Sequence, residues 1–314
     1  MRTRPGGVPE GSFQITPLDS LVLCYQVVLS GVILFSKLGE DDKFRLVAEH
    51  LCFLAGLLAL LWALEPLAHP IFRFFREMYP LILMLFFYKE IGLLIHGYFD
   101  WSLDDWLLSK DYQLGHVALS VWHLQQFHPP SRLLNEIFSL GYGFYLVLIP
   151  LAALTLYWRA PLNVFRTFLF SLCFTYYLCY LLFIFLPAES PRFYIPGLRE
   201  SLEGYWISEW VHWAVEGNAF PGGSFPSSHI AAAVICMRSF PYLGRWRYLA
   251  VFFTLLLFLG TIYGRYHYSV DVMAGLVVGL VCYVLAPWLQ KHWPLVLNWE
   301  QEPYGRIQKT AHGS

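Results

Sequence analysis

Apolar runs long enough to cross a bilayer recur eight times along the 314 residues, at roughly 17–36, 46–66, 77–97, 133–157, 162–187, 227–244, 247–263 and 268–289. About 20 residues at 1.5 Å rise each carry a helix through the hydrocarbon core, so the chain belongs in a membrane. Composition agrees, with 57% of residues hydrophobic and 14% charged, against about 25% charged in an ordinary soluble domain. The expected fold class is all-α, a polytopic membrane protein of about eight transmembrane helices. Its sixth run is interrupted by Arg238 and Pro241 and only just spans. The first run leads straight into SKLGEDDK without the small-residue cleavage site of a signal peptide, and is read as a retained span. A net charge of −1 gives no electrostatic case for nucleic acid as a partner. Cys24, Cys52, Cys173, Cys179, Cys236 and Cys282 all fall inside apolar runs, where thiols behave as small buried hydrophobes, so no disulfide or zinc framework is implied.

Eight crossings put both termini on one side, together with the loops near 67–76, 158–161 and 238–247. That side collects twelve of the arginines and lysines and the opposite side eight, with Lys89 inside a helix. The positive-inside rule then places both termini in the cytoplasm. The long loops 98–132 and 188–226 face the other compartment. In ESLEGYWISEWVHWAVE, residues 200–216, Leu202, Trp206, Trp210 and Trp213 recur at helical spacing with glutamates between them, the pattern of an amphipathic helix in the headgroup layer. Trp101 and Trp106 in DWSLDDWLL repeat the theme, which suits an aromatic belt. The expected organisation is N-terminal helices and an interfacial loop over 1–132, a catalytic helical core over 133–290 and a short cytoplasmic tail over 291–314.

On the less positive side the sequence reads GGSFPSSHIAAA, residues 222–233. Ser227 is a good N-cap, so the amides of Ser228, His229 and Ile230 fall in a first turn where they have no partner inside the helix. Such an end favours anions, and Gly222 and Gly223 let the backbone fold closely around a phosphate. A second helix starts on the same side within YGRYHYSVDVMAG, residues 263–275, where His267 and Asp271 are four apart and share a face. The carboxylate can take the Nδ1 proton of the imidazole and leave Nε2 as an outward nucleophile. Arg265 precedes that histidine, and Arg192 follows the fifth run in LPAESPRFY. An anion cradle, two arginines, a histidine backed by an aspartate and a second histidine suit phosphoryl transfer. His267 attacks phosphorus and His229 protonates the leaving oxygen, while Arg192, Arg265, Ser227, Ser228 and Gly223 hold the phosphoryl group. Arginines and amides supply the positive charge, so neither a metal nor another cofactor is called for.

At these residues the chain resembles the type 2 phosphatidic acid phosphatase (vanadium haloperoxidase-like) superfamily, whose second motif is P-S-G-H and whose third ends in H-x-x-x-D. They read here Pro226-Ser227-Ser228-His229 and His267 with Asp271. Positions 261 and 185, where the family usually has an arginine and a lysine, hold Thr261 and Phe185. With the RYHYSVDVMAG wording and LNEIFSLGYGFY over 134–145, these departures resemble the inositolphosphotransferase branch, which includes inositol phosphorylceramide synthases. The resemblance implies a phospholipid or lipid phosphate donor and a lipid alcohol as acceptor, with the site on the extracytoplasmic face. It equally accommodates hydrolysis of a phosphatidic acid-type or polyprenyl phosphate, in which water replaces the alcohol. Lys89 stands as a spatial substitute for the absent lysine, with Glu90 beside it as an ion-pair partner and His96 beyond, and Glu136 as a second substrate-binding candidate. A zinc hydrolase using the histidines as ligands is opposed by the two arginines, and a transporter by the scarcity of charges deep in the runs.

Overall fold

A computed structural model of the chain describes residues 14–64, 69–115, 131–198, 202–217 and 220–296. Arg2, Arg4, Arg199, Arg306, Lys309, the tail beyond 296 and the side chain of His96 lie outside the described residues. Within them the chain is built of helices and their connections, with no strand. In order these are α1 (Pro17–Leu34), α2 (Glu40–Leu64), α3 (Pro70–Leu94), α4 (Asp104–Gly115), α5 (Arg132–Arg159), α6 (Leu162–Phe185), α7 (Pro191–Tyr194), α8 (Trp206–Glu216), α9 (Ser228–Cys236), a 3₁₀ segment Met237–Trp246, α10 (Arg247–Tyr263) and α11 (Ser269–Lys291).

The centre of the molecule is α6. Beyond Arg166 and Thr167 it is largely apolar, with buried residues on every face from Phe168 to Ile184, and such a helix must be covered on all sides. The N-terminal helices α1 and α3 cover one side, α5, α9 and α11 the other. Buried charges join the N-terminal helices where apolar surfaces alone would leave their rotation loosely set. Arg76 of α3 grips Asp19 of α1 with two bonds of 2.9 and 2.6 Å, and the Tyr79 hydroxyl donates to the same carboxylate at 2.6 Å. Arg166 of α6 holds Glu77 of α3 at 3.0 Å.

Six helical stretches are long and apolar enough to cross a membrane, against eight expected, among the described residues. The third expected run falls mostly in α3, with its last three residues in a 3₁₀ turn, Ile95–Gly97; α3 starts earlier than the run because His69 caps it and Pro70 suits its first position. That start draws Arg73, Arg76 and Glu77 into the helix, and Lys89 and Glu90 lie near its other end. The sixth and seventh runs form one helical stretch, 228–263, in which α9 has nine residues and passes into the 3₁₀ segment around Pro241. Gly244, at φ 60° and ψ −130°, reverses the chain there, a conformation only glycine takes readily. The reversal returns α10 to the side on which α9 began. The amphipathic helix also starts later than its pattern, at Trp206 and not 200, so Leu202 precedes it; Trp206, Trp210 and Trp213 are exposed and Val211 is buried. Cys52 faces outward on α2, unlike the four buried cysteines of α6, α9 and α11.

Close approach of α9 and α11 decides where the site lies. A methyl group on Gly275 would stand 2.4 Å from the Ser227 carbonyl oxygen, so only hydrogen fits. Small side chains along Ala231–Ala233 continue the seam, the usual device for backbone contact between helices in a membrane. Replacing Gly275 by Val is expected to lower stability by about 1–3 kcal/mol, the common effect of overpacking. Thermal unfolding of the detergent-solubilised protein measures it, and an unchanged midpoint would show that the seam is not tight.

Candidate active site

The starts of α9 and α11 and the return from α10 meet at one end of the bundle. His267 Nδ1 lies 3.2 Å from Asp271 Oδ2, and Ser224 donates its hydroxyl to the same oxygen at 2.7 Å. On its other side His267 Nε2 is 3.3 Å from His229 Nδ1, and His229 Nε2 is 3.2 Å from the Tyr142 hydroxyl of α5. One direction of donation satisfies the whole line. Tyr142 donates to His229, His229 Nδ1–H to His267 Nε2, and His267 Nδ1–H to Asp271, so each bond holds one proton and both imidazoles are neutral. That tautomer leaves the lone pair of His267 on Nε2, facing away from the carboxylate.

Ser227 is the N-cap of α9, at φ −60° and ψ 103°, yet its hydroxyl makes no capping bond and, although fully buried, has no hydrogen-bond partner among the described residues. Its amide is used by the neighbouring helix, donating to the Asp271 carbonyl at 3.1 Å. Ser228 is buried beside it in the first turn. Gly223 pairs with Ala188 in an isolated parallel bridge, through Ala188 N–H to the Gly222 carbonyl at 3.1 Å and Ser224 N–H to the Ala188 carbonyl at 3.0 Å. This bridge fastens the Arg192 loop to the loop that leads into α9.

Arg192 and Arg265 converge by a backbone bond, the Arg192 amide donating to the Arg265 carbonyl at 3.2 Å. Both guanidinium side chains are buried, at 5% and 4% exposure. Arg265 donates to the Leu198 carbonyl at 2.9 Å. Arg192 is paired with Glu216, the last residue of α8, and lies 5.4 Å above the Tyr266 ring. With Ser139, Ser208, His212 and Tyr263 the two arginines line a polar depression between α5, α8 and α10. Burial lifts the Tyr266 phenol above its ordinary range, against the pull of Arg192 and Arg265, so it stays a neutral hydroxyl. Thr261, which stands where the family usually has an arginine, is wholly buried, and its carbonyl accepts the His267 amide at 3.2 Å.

Of the residues read as substrate contacts, two make no bond to the histidines or arginines among the described residues. The Glu136 carboxylate is occupied as an external cap of α8, accepting from the amides of Ile207 and Ser208 at 3.0 and 2.8 Å and from the Ser208 hydroxyl at 3.1 Å. A carboxylate at the positive end of a helix is well placed there, and one that faced a phosphate would repel it. Lys89 is exposed on α3, and no hydrogen bond or ion pair among the described residues joins it to the histidines or arginines. Its neighbour Glu90 points the other way and pairs with His50 of α2, because adjacent helical positions do not share a face. Tyr142 and Ser224 went unassigned in the sequence: a tyrosine in an apolar helix and a serine in a loop are indistinguishable from their neighbours until the backbone places them.

The described residues thus form an all-helical membrane protein with two imidazoles, a backed carboxylate and two buried guanidiniums at one end of its bundle, a set whose chemistry suits an anion. The PAP2 superfamily matches residues 106–285, more than half of the chain, and the protein belongs to that superfamily. The match takes in most of α4, upstream of residue 133 where the sequence pattern starts the catalytic half. A protein of Dictyostelium discoideum described as a PA-phosphatase related-family protein is 34% identical over 124 residues, 37% of this chain and 22% of that protein. The chain therefore matches less than a quarter of that relative's length. No solved structure matches the chain.

The pairing of Arg192 with Glu216 has a direct consequence for anion binding. An incoming anion competes with the Glu216 carboxylate for the same guanidinium. Because Glu216 is itself partly exposed, the pair is worth little, and Glu216→Gln is expected to tighten binding of inorganic phosphate about two- to fivefold. Equilibrium dialysis with labelled phosphate measures this. Weaker binding in the variant would show that Glu216 supports the site instead of competing for it.

Proposed function

We propose that the protein is an integral membrane enzyme that transfers a phosphorylated headgroup between lipids through a phosphohistidine at His267. The observation that carries the reading is the line from Tyr142 through His229 and His267 to Asp271, laid beside two buried arginines. In the first step the His267 Nε2 lone pair attacks phosphorus, a P–N bond forms and the P–O bond to the donor lipid breaks. The leaving oxygen takes a proton from His229, which enters this step as an imidazolium, one proton beyond the resting line, and is left neutral; its Nδ1 faces His267 and so faces the reaction. In the second step an acceptor hydroxyl returns its proton to His229 while its oxygen attacks phosphorus and the P–N bond breaks. Asp271 stabilises the positive charge that grows on His267, and Arg192, Arg265 and the amides at the start of α9 balance the phosphoryl oxygens. Ser227, Ser228 and Gly223 shape that cradle.

Burial of His267 and both arginines supports a lipid alcohol as acceptor over water, in line with an inositolphosphotransferase-like enzyme. Hydrolysis is the second reading, favoured by the printed description of the Dictyostelium relative as a PA-phosphatase related-family protein. In either case the exposed tryptophans of α8 suit a site in the extracytoplasmic headgroup layer, with the termini in the cytoplasm.

Purified protein incubated with labelled phosphatidic acid-type and phosphoinositol lipids, with and without lipid alcohols, separates the two. A new phospholipid that requires the acceptor is the expected product, and free phosphate formed regardless of acceptor would establish the phosphatase. His267→Ala is expected to lose activity by about six orders of magnitude, the scale of losing a covalent nucleophile; retention of activity would remove His267 from the mechanism. The rate should also be bell-shaped in pH, because His267 must be neutral while His229 must hold a proton. A profile flat across the histidine range would overturn that division of roles.

A further inference from the structure

One buried face of α4 is made of Asp104, Leu107 and Asp111, none of them exposed to solvent. Spacing of three and four residues puts them in a row, and the row lies against every loop that carries the site. Leu107 packs on Ala188, just before the Arg192 loop, and on Tyr268, the residue after His267. Phe225, next to the start of α9, closes the same small cluster.

Each carboxylate is spent on backbone or phenol donors of those loops. Asp104 Oδ2 accepts the Glu189 amide at 2.8 Å, and Oδ1 accepts the Ser190 amide at 3.2 Å and the Tyr268 hydroxyl at 2.9 Å. Asp111 accepts the amides of Ser269 and Val270, both at 3.2 Å, and so caps the helix that carries Asp271. Two non-glycine residues in this region have positive φ, Ser190 at 107° and Arg265 at 61°, each two residues before a site residue. Backbone of that kind persists only where its surroundings hold it, and Asp104 bonds Ser190 itself. Burial and the Asp104 carboxylate also raise the Tyr268 phenol, which keeps its proton and remains a donor.

We propose that Asp104 and Asp111 are the positioning residues of the phosphate site, Asp104 setting the Arg192 loop against the His267 turn and Asp111 setting the start of α11. Neither touches substrate. They act through Arg192, His267 and Asp271, so the proposal rests on the reading of those residues as a phosphate site. Asn at position 104 keeps the shape but has one acceptor oxygen and an amide that opposes the donors around it.

Orthovanadate, a mimic of the phosphoryl transition state, is the probe, and its dissociation constant for the full-length protein in detergent is the readout, with thermal unfolding measured alongside. Asp104→Asn and Asp111→Asn are each expected to weaken vanadate binding about tenfold or more, the scale of losing charge-assisted bonds. Tyr268→Phe deletes one hydroxyl from the same network and keeps the test alive if an aspartate variant does not fold; it is expected to weaken binding a few-fold. Leu107→Ala, on the same face but without a polar partner, is expected to lower the unfolding temperature and leave vanadate affinity within twofold. Unchanged affinity in Asp104→Asn and Tyr268→Phe would overturn the proposal, as would an equal loss in Leu107→Ala, which would mean general loosening. Wild-type protein that binds no vanadate would instead overturn the phosphate-site reading and the proposal with it.

Discussion

The contact on which the site depends is backbone against backbone, where α11 meets the first turn of α9. Gly275 leaves no side chain between the helices, the Ser227 amide donates to the Asp271 carbonyl, and the histidines follow at 3.3 Å. The first-turn amides of α9 have no partner inside that helix, whereas those of Ser269 and Val270 on α11 are capped by Asp111. Positive potential therefore gathers at the start of α9, and a low dielectric makes it strong. The helix packing turns the two histidines toward one another.

Around that contact, charge is handled by pairing. Asp19 with Arg76, Glu77 with Arg166, His50 with Glu90 and Arg192 with Glu216 each join elements distant in sequence. An isolated buried ion is costly, and pairing offsets the cost without always adding stability. What the pairs supply here is orientation. Lipid is as apolar as leucine, so helices in a membrane gain little from burying apolar faces, and a charge that must find its partner restricts helix rotation far more. Glu216 is the most exposed carboxylate among these pairs, so its pair with Arg192 is the one solvent reaches most readily.

The aspartates of α4 extend the same logic to the loops. Loops and short turns are the least restrained part of a helical bundle, yet Arg265 lies on a loop and Arg192 on the four-residue turn α7. Two buried carboxylates, satisfied by the amides leading into α7 and by those of the first turn of α11, give that region the stiffness that a bundle interior has from packing. Tyr268, between His267 and α11, is tied into the scheme by its hydroxyl, so the histidine turn is gripped from two directions.

Much of this was legible in the residues alone. Apolar runs of bilayer length determine an all-helical membrane fold, since free backbone groups have no other satisfaction in hydrocarbon. An i,i+4 spacing determines that His267 and Asp271 share a face, and helix parity places His229 in the same compartment, because both relations are local or a matter of counting. Everything that required a distance between separate elements was left to tertiary structure. Tyr142 reaches His229, Ser224 reaches Asp271 and Asp104 reaches Ser190 only once the helices are packed. Glu136 became a cap and Glu90 a partner of His50 for the same reason: a charged side chain takes the nearest partner in space, and sequence records only the nearest partner in the chain.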